Sequence, residues 1–314
     1  MSGTRVAWIG LGNIGRGMSA NIARKGPQSS LILYNRTMAR ATAHAETLAG
    51  KATVASSLPA AVDAADLIFT CVGDDPAIDS IVGAILADQQ DLSSKTFIDC
   101  STVHPDTSRR IETAFAARGA GFVACPVFGA PNMADAGQLI VVPAGKQASI
   151  ARAKPFLEGV VARATIDLAD GTGADSDVGR ASTLKVLGNT FILNTVGVLA
   201  ESLTAAETSG LGIGPFKQWL DLFSPGPFAN YGQRMISGDY YQRDEPLFAV
   251  DLARKDLRHA SNLAREGGQR MRNVEVTDHF LQTVKERRGE KGDLAAVYGA
   301  SREEAGLGFE NQNQ

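Results

Sequence analysis

Residues 5–21 read RVAWIGLGNIGRGMSAN, and the fold follows from this stretch. RVAWIG is a short apolar run of the kind that forms a buried strand. Gly10-Leu11-Gly12-Asn13-Ile14-Gly15 follows at once as GxGxxG and opens a helical segment. Strand, glycine turn and helix in that order make the phosphate-binding half of a dinucleotide site. Gly10 permits the tight turn, Gly12 lets backbone amides approach a pyrophosphate, and Gly15 lets the helix pack close to the sheet. The pyrophosphate is expected on the helix N-terminus, where unpaired N–H groups and the dipole favour an anion.

Outward from this unit, apolar runs alternate with helical stretches: SLILYN (30–35), DLIFTCV (66–72), KTFIDC (95–100), GFVACPV (121–127) and QLIVVPAG (138–145). Continuous apolar strands separated by helices imply a parallel sheet covered on both faces, a doubly wound α/β domain of the Rossmann type over residues 1–168. The pattern changes near Gly171-Thr-Gly173. From Asp177 to about Ser209 no proline intervenes, and Ala181, Leu184, Phe191, Ile192, Val196, Leu199 and Leu203 recur at helical spacing. A residue among 175–177 can cap this helix and Gly210 can end it. Shorter helices divided by segments such as SPGPF (224–228) follow, so residues 169–314 are expected to form an all-α domain joined by one long helix. The last residues, GFENQNQ, are expected to fray.

Composition narrows the function. With 31 Lys+Arg against 34 Asp+Glu, the chain has no electrostatic reason to bind nucleic acid or an anionic membrane. The N-terminus has no secretory pattern, and the apolar stretch Phe191–Ala200, broken by Asn194 and Thr195, is too short to span a bilayer. Cys71, Cys100 and Cys125 are odd in number, widely spaced and without a nearby histidine. They read as small buried hydrophobes in a reducing cytoplasm rather than as catalytic thiols. His44, His104, His259 and His279 form no metal-ligand spacing, so no metal site is expected.

The end of the second strand bears on the choice of dinucleotide. A carboxylate there would bind the 2′-hydroxyl of NAD. The chain instead reads Asn35-Arg36-Thr37. Arg36 can pair with a 2′-phosphate while Asn35 and Thr37 hydrogen-bond beside it. NADP is favoured, with NAD possible.

GLGNIGRGMSAN (10–21) resembles the fingerprint GLGxMGxxMxxN of the β-hydroxyacid dehydrogenases, with Ile14 where methionine is usual. The resemblance continues through DCSTVHP (99–105), ACPVFGA (124–130), KVLGN (185–189) and KDL (255–257), in the family's order. It implies that Lys185 is the general acid/base, and that Asn189, on the same helix face one turn on, holds the substrate. A lysine moves protons near neutrality only if its pKa falls from about 10.4, through desolvation and the neighbouring cationic nicotinamide. The resemblance also implies that Thr102 lies on the nicotinamide side, Val72-Gly73 at the adenosine ribose, and Lys255 at the cofactor. Ser101, at a strand carboxyl end, is placed with the substrate. Many relatives carry Ser-Gly-Gly where this chain reads Phe128-Gly129-Ala130. The hydroxyl is gone, although the Gly129 and Ala130 amides can still bind a carboxylate. Phe128 weighs against 6-phosphogluconate and toward a less polar acid or aldehyde.

The expected protein is a cytoplasmic dehydrogenase or reductase of a small β-hydroxyacid and its semialdehyde or keto acid. The resemblance implies a homodimer or homotetramer. Two alternatives share the two-domain plan: an imine reductase, which generally carries another residue where Lys185 stands, and an inactive cofactor-binding regulatory module, whose examples have lost that lysine.

Overall fold

The computed structural model describes residues 3–28, 30–88, 91–169 and 177–311. Gly171-Thr-Gly173, the cap candidates Asp175 and Ser176, and residues 312–314 lie outside them. Two compact units, Met1–Lys185 and Val186–Gln314, make up the chain.

The first unit runs β1 (Arg5–Ile9), α1 (Asn13–Lys25), β2 (Ser30–Tyr34), α2 (Met38–Glu46), β3 (Thr53–Val54), α3 (Leu58–Asp63), β4 (Leu67–Thr70), α4 (Asp75–Asp88), β5 (Thr96–Asp99), α5 (Pro105–Ala116), β6 (Gly121–Ala124), β7 (Val127–Phe128), α6 (Pro131–Ala136), β8 (Leu139–Val141), β9 (Ala144–Gly145), α7 (Gln147–Ala153) and β10 (Ala162–Thr165). Seven strands form one sheet in the order β3-β2-β1-β4-β5-β6-β9. All its pairings are parallel except β6 with β9. β4 and β5 are buried along their whole length, as strands covered on both faces must be. Trp8 stacks on Phe69 on one face, with ring centroids 5.5 Å apart, and Phe97 on Phe115 on the other at 3.9 Å. The strand order reverses between β1 and β4, so the ligand crevice of such a sheet opens beyond their carboxyl ends.

Two runs that read as single strands are each divided by a proline. Pro126 separates β6 from β7, and Pro143 separates β8 from β9. A residue without an N–H cannot continue a ladder. β7 and β8 leave the main sheet, pair antiparallel with each other, and join β10 in a separate three-stranded sheet. The wholly parallel pattern expected from the apolar runs therefore gives way at this edge.

The long helix is α8 (Gly179–Thr208), ended by Gly210 in the left-handed region at φ +82°. Its first turns belong to the first unit's core through Val178, Ala181 and Leu184. Arg109 of α5 clamps Asp177 with two hydrogen bonds of 2.8 and 2.7 Å, and Asp177 accepts the Gly179 N–H at 2.9 Å. Ser108 and Ser182 add a buried contact of 2.7 Å.

The second unit continues with α9 (Ile213–Phe223), α10 (Pro227–Ile236), α11 (Asp239–Gln242), α12 (Val250–Glu266), α13 (Arg272–Arg288) and α14 (Val297–Glu304) around the buried side of α8. Two sequence expectations are corrected here. Phe191, which shares the helix's apolar repeat, is not interior: it is 66% exposed, and Leu187 beside Val186 is 43% exposed. Leu187 follows Val186 by 100° of helix rotation, and Val186 takes the buried side. The tail is not frayed as far as Asn311. Tyr240 donates to the Phe309 carbonyl at 2.5 Å, and the Asn311 amide donates to the Met235 and Ile236 carbonyls at 3.2 and 2.7 Å. Pairing its backbone and packing Phe309 offset the entropy of ordering it.

Candidate active site

The glycine turn divides into residues that the protein's own packing requires and one that it does not. Gly10 has φ +96°, and a Cβ there would lie 2.3 Å from the Cys71 carbonyl oxygen. A Cβ on Gly15 would lie 2.2 Å from the Gly10 carbonyl oxygen, which also accepts the Trp8 indole N–H at 2.8 Å. A Cβ on Gly12 would meet nothing within 4 Å. Gly12 is the N-cap of α1, and no side chain caps it. A helix N-terminus with no side-chain cap, no acidic residue in its first turn and an open cradle before it suits a pyrophosphate.

Asn13 and Ile14 begin α1 half-buried beside this cradle. Leu11 is buried, and its N–H donates to Asn35 Oδ1 at 3.0 Å, so that amide serves the fold. Asn35 also donates to the Thr37 carbonyl at 3.1 Å, bracing the turn after β2. Arg36 and Thr37 are exposed, and Arg36 has no ion-pair partner among the described residues.

Asn21, the last fingerprint residue, donates to the Ala134 and Asp135 carbonyls at 2.8 and 3.0 Å. A Cβ on Gly17 would touch the same α6 backbone at 2.7 Å. Part of the fingerprint therefore docks α6, which follows the Phe128-Gly129-Ala130 loop. Gly129 itself needs φ +142°, and its Cβ would collide with Leu139 at 2.6 Å. Gly129 and Ala130 are exposed and Phe128 is half-buried.

Beyond β4 and β5 the loops are tied together. Val72 donates its N–H to Ser101 Oγ at 2.9 Å, and the His104 N–H donates to Asp75 at 2.9 Å. Ser101 in turn donates its N–H to Asp99 Oδ1 at 3.1 Å, where Thr70 also donates at 2.7 Å. Ser101 is 3% exposed and acts as a brace here, while Thr102, Val72 and Gly73 reach the surface to differing extents. Burial pushes the Asp99 carboxyl up, opposed by its hydrogen bonds from Ser101 and Thr70. Burial also pushes the Cys71 thiol up to about 12, with Asp99 adding and Lys185 opposing. A thiol held protonated is a poor nucleophile; of the three free cysteines, Cys100 and Cys125 are buried and Cys71 only half-buried.

Lys185 is buried on α8, and its Nζ lies 4.5 Å from the centroid of the Phe128 ring. One turn on, in the second unit, Asn189 donates its amide to Asp256 Oδ2 at 2.7 Å. The neighbouring Lys255 Nζ is 3.4 Å from Asp256 Oδ1. All three side chains are buried. Two relations escaped sequence reading. Asp256 stands within KDL but its partner is 67 residues away, and the Phe128–Lys185 contact depends on where a two-residue strand ends.

An open glycine cradle on an uncapped helix, at the switch point of a doubly wound sheet, defines a dinucleotide-binding domain. Comparisons with known proteins agree. Residues 5–168 match the NAD binding domain of 6-phosphogluconate dehydrogenase, and residues 179–301 match the NAD-binding domain of NADP-dependent 3-hydroxyisobutyrate dehydrogenase. The NADH-dependent oxidoreductase ucdB of Aspergillus ustus is 35% identical over 94% of this chain and 98% of its own. Glyoxylate/succinic semialdehyde reductase 1 of Arabidopsis thaliana is 28% identical over 85% of this chain and 87% of its own. The Mycobacterium tuberculosis 3-hydroxyisobutyrate dehydrogenase shares the fold, with TM-score 0.76 and 23% identity over 95% of this chain and 99% of that one. The chain belongs to the β-hydroxyacid dehydrogenase family and is an NAD(P)-dependent oxidoreductase.

Proposed function

We propose that this enzyme interconverts a small β-hydroxyacid and its semialdehyde or keto acid, with NADP preferred over NAD and Lys185 as the general acid/base. The observation that carries this reading is a buried lysine on α8 at the family's position, followed one turn on by an asparagine whose amide is held by the Asp256 carboxylate. The dinucleotide supplies or accepts the hydride. In reduction, Lys185 Nζ gives a proton to the oxygen of the carbonyl being reduced; in oxidation it takes the hydroxyl proton. Asn189, its NH₂ turned to Asp256, offers its Oδ1 to the substrate hydroxyl. The exposed Gly129 and Ala130 amides suit the substrate carboxylate, with Ser101 and Phe128 shaping the pocket. Thr102, Val72, Gly73 and Lys255 complete the cofactor contacts. The presence of Lys185 weighs against both imine reduction and an inactive module.

NADP is supported by exposed, unpaired Arg36 and by the lack of a carboxylate at residues 35–37. The Aspergillus relative is named NADH-dependent, so the preference needs a direct measurement. We expect NADPH to bind at least about tenfold tighter than NADH, or 1.4 kcal/mol, and Arg36→Ala to narrow that gap. Equal affinities would overturn the assignment. The test of the reaction is a panel of short hydroxyacids, semialdehydes and cyclic imines assayed with both cofactors. Turnover of hydroxyacid/aldehyde pairs supports the reading; turnover confined to imines refutes it. A cytoplasmic location fits the widely spaced cysteines, which read as thiols of a reducing compartment.

A further inference from the structure

Phe128 ends β7, and its ring is directed at the residue read above as the acid. Its position is set by the backbone. Phe128 pairs with Ile140 in the antiparallel β7–β8 ladder, and the loop beyond it turns through Gly129 at φ +142°. α6, which follows, is locked to α1 through Asn21 and Gly17. The Phe128 Cα therefore cannot move away without breaking a ladder and a helix contact. Its face lies 4.5 Å from Lys185 Nζ, inside the range in which an ammonium is attracted by an aromatic quadrupole. Only the protonated lysine gains from this contact; the neutral amine does not.

We propose that Phe128 is a positioning residue that holds the Lys185 side chain as an ammonium ion and so poises the site for reduction rather than oxidation. This rests on the reading of Lys185 as the acid/base. In reduction, a hydride reaches the carbonyl carbon, the C=O π pair becomes an oxygen lone pair, and that oxygen takes a proton from Nζ. Lys185, left as a neutral amine, recovers its proton from water. Oxidation runs the same steps backward and must begin from the neutral amine, which the ring disfavours.

Two ionisable groups at the strand ends, Cys71 and Asp99, have roles of their own. The Cys71 thiol, which Lys185 influences, is held protonated by burial and carries no charge to pair with the ammonium. The Asp99 carboxylate beyond it is engaged by Thr70 and Ser101. Asn189, one turn along α8, has Asp256 and Lys255 of α12 as its charged neighbours, and these two lie within ion-pair distance of each other.

The test replaces Phe128 with phenylalanines carrying one, three and five ring fluorines, which drain the quadrupole with little change of shape, and with leucine, which keeps an apolar side chain and removes the ring. The full chain is labelled at lysine ¹³Cε, and the Lys185 signal is assigned by its loss in Lys185→Met. We expect its titration midpoint to fall stepwise with fluorination, and by about half a unit to one unit in Phe128→Leu. A midpoint that is unchanged across the series, or that rises, overturns the proposal; melting temperatures within the series show that each variant is folded. This readout needs no substrate. If Lys185→Met keeps its turnover, the acid/base reading fails, and the titration still reports whether the ring holds the ammonium.

Discussion

At the scale of the residue, Lys185 is the proposed acid/base, and His44 carries a pH dependence unrelated to it. Lys185→Met keeps most of the stem volume and removes the exchangeable proton. It should fold and bind NADPH nearly as before, while kcat and kcat/KM fall together by roughly 10² to 10⁴, the usual worth of a positioned acid/base. Near-native kcat on a substrate found in the panel would exclude the assignment. Arginine there should not restore activity, since guanidinium keeps its proton. His44 is buried and shares a 2.9 Å hydrogen bond with Ser19 Oγ. Burial lowers its pKa below 6.5, and Arg16 and Arg24 act in the same direction. The unfolded chain then binds the extra proton more readily than the folded one. The stability associated with neutral His44 is full above the unfolded pKa, about 6.5, and is lost as pH falls below it. Urea titrations at pH 7.5 and 5.5 should show this loss, and His44→Gln should lessen it; an equal loss in both proteins would point to other groups.

At the scale of the element, the turn between β1 and α1 separates two reasons for a glycine. Gly15→Ala drives a Cβ into the Gly10 carbonyl, 2.2 Å away, and should cost about 1–3 kcal/mol of stability, as overpacking does. Gly12→Ala meets open space and should melt like the parent protein. Its methyl group would occupy the cradle, so its affinity for NADPH should fall instead. Thermal melts with and without NADPH distinguish the two. If Gly12→Ala melted as low as Gly15→Ala and still bound cofactor normally, the cradle would not be the phosphate site. The motif was legible because its spacing is local; which glycine serves the fold and which the ligand was not, since Gly15 is fixed by contact with Gly10 and Trp8 while Gly12 faces no protein atom.

At the scale of the molecule, the second unit exposes apolar surface that a monomer has no use for. Leu187, Phe191 and Val198 are 43%, 66% and 57% exposed. Their spacing of four and seven residues makes one stripe along α8. On α9, Trp219 stacks on Phe223 at 5.0 Å, and Leu222 and Phe223 are more than two-thirds exposed. We propose that a second copy of the chain covers this surface, giving a homodimer or homotetramer. The same composition makes α8 long and apolar enough to cross a membrane, by length and composition alone. Half of its most apolar stretch is buried in the protein, as in a core helix that also offers an interface. Sedimentation should show an oligomer that Phe191→Asp or Leu222→Asp weakens. A wild-type monomer at micromolar concentration would rule the interface out.

By itself the sequence determined the doubly wound domain, the long helix, the dinucleotide turn and the family, because each is written in short-range spacing: a two- or 3.6-residue period, GxGxxG, KVLGN. The place of Lys185 on the long helix was legible for the same reason. Tertiary structure decided what depends on contacts between residues distant along the chain. It divided two apolar runs at Pro126 and Pro143, sending β7 to a second sheet and the Phe128 ring to Lys185. It gave Asn189 the Asp256 carboxylate from α12 and turned Ser101 into a brace between strand ends. Phe191 fits a helical period as well as any core residue does. The packing of the second unit chose which face of α8 to bury, and a period states that faces exist without stating which one meets protein.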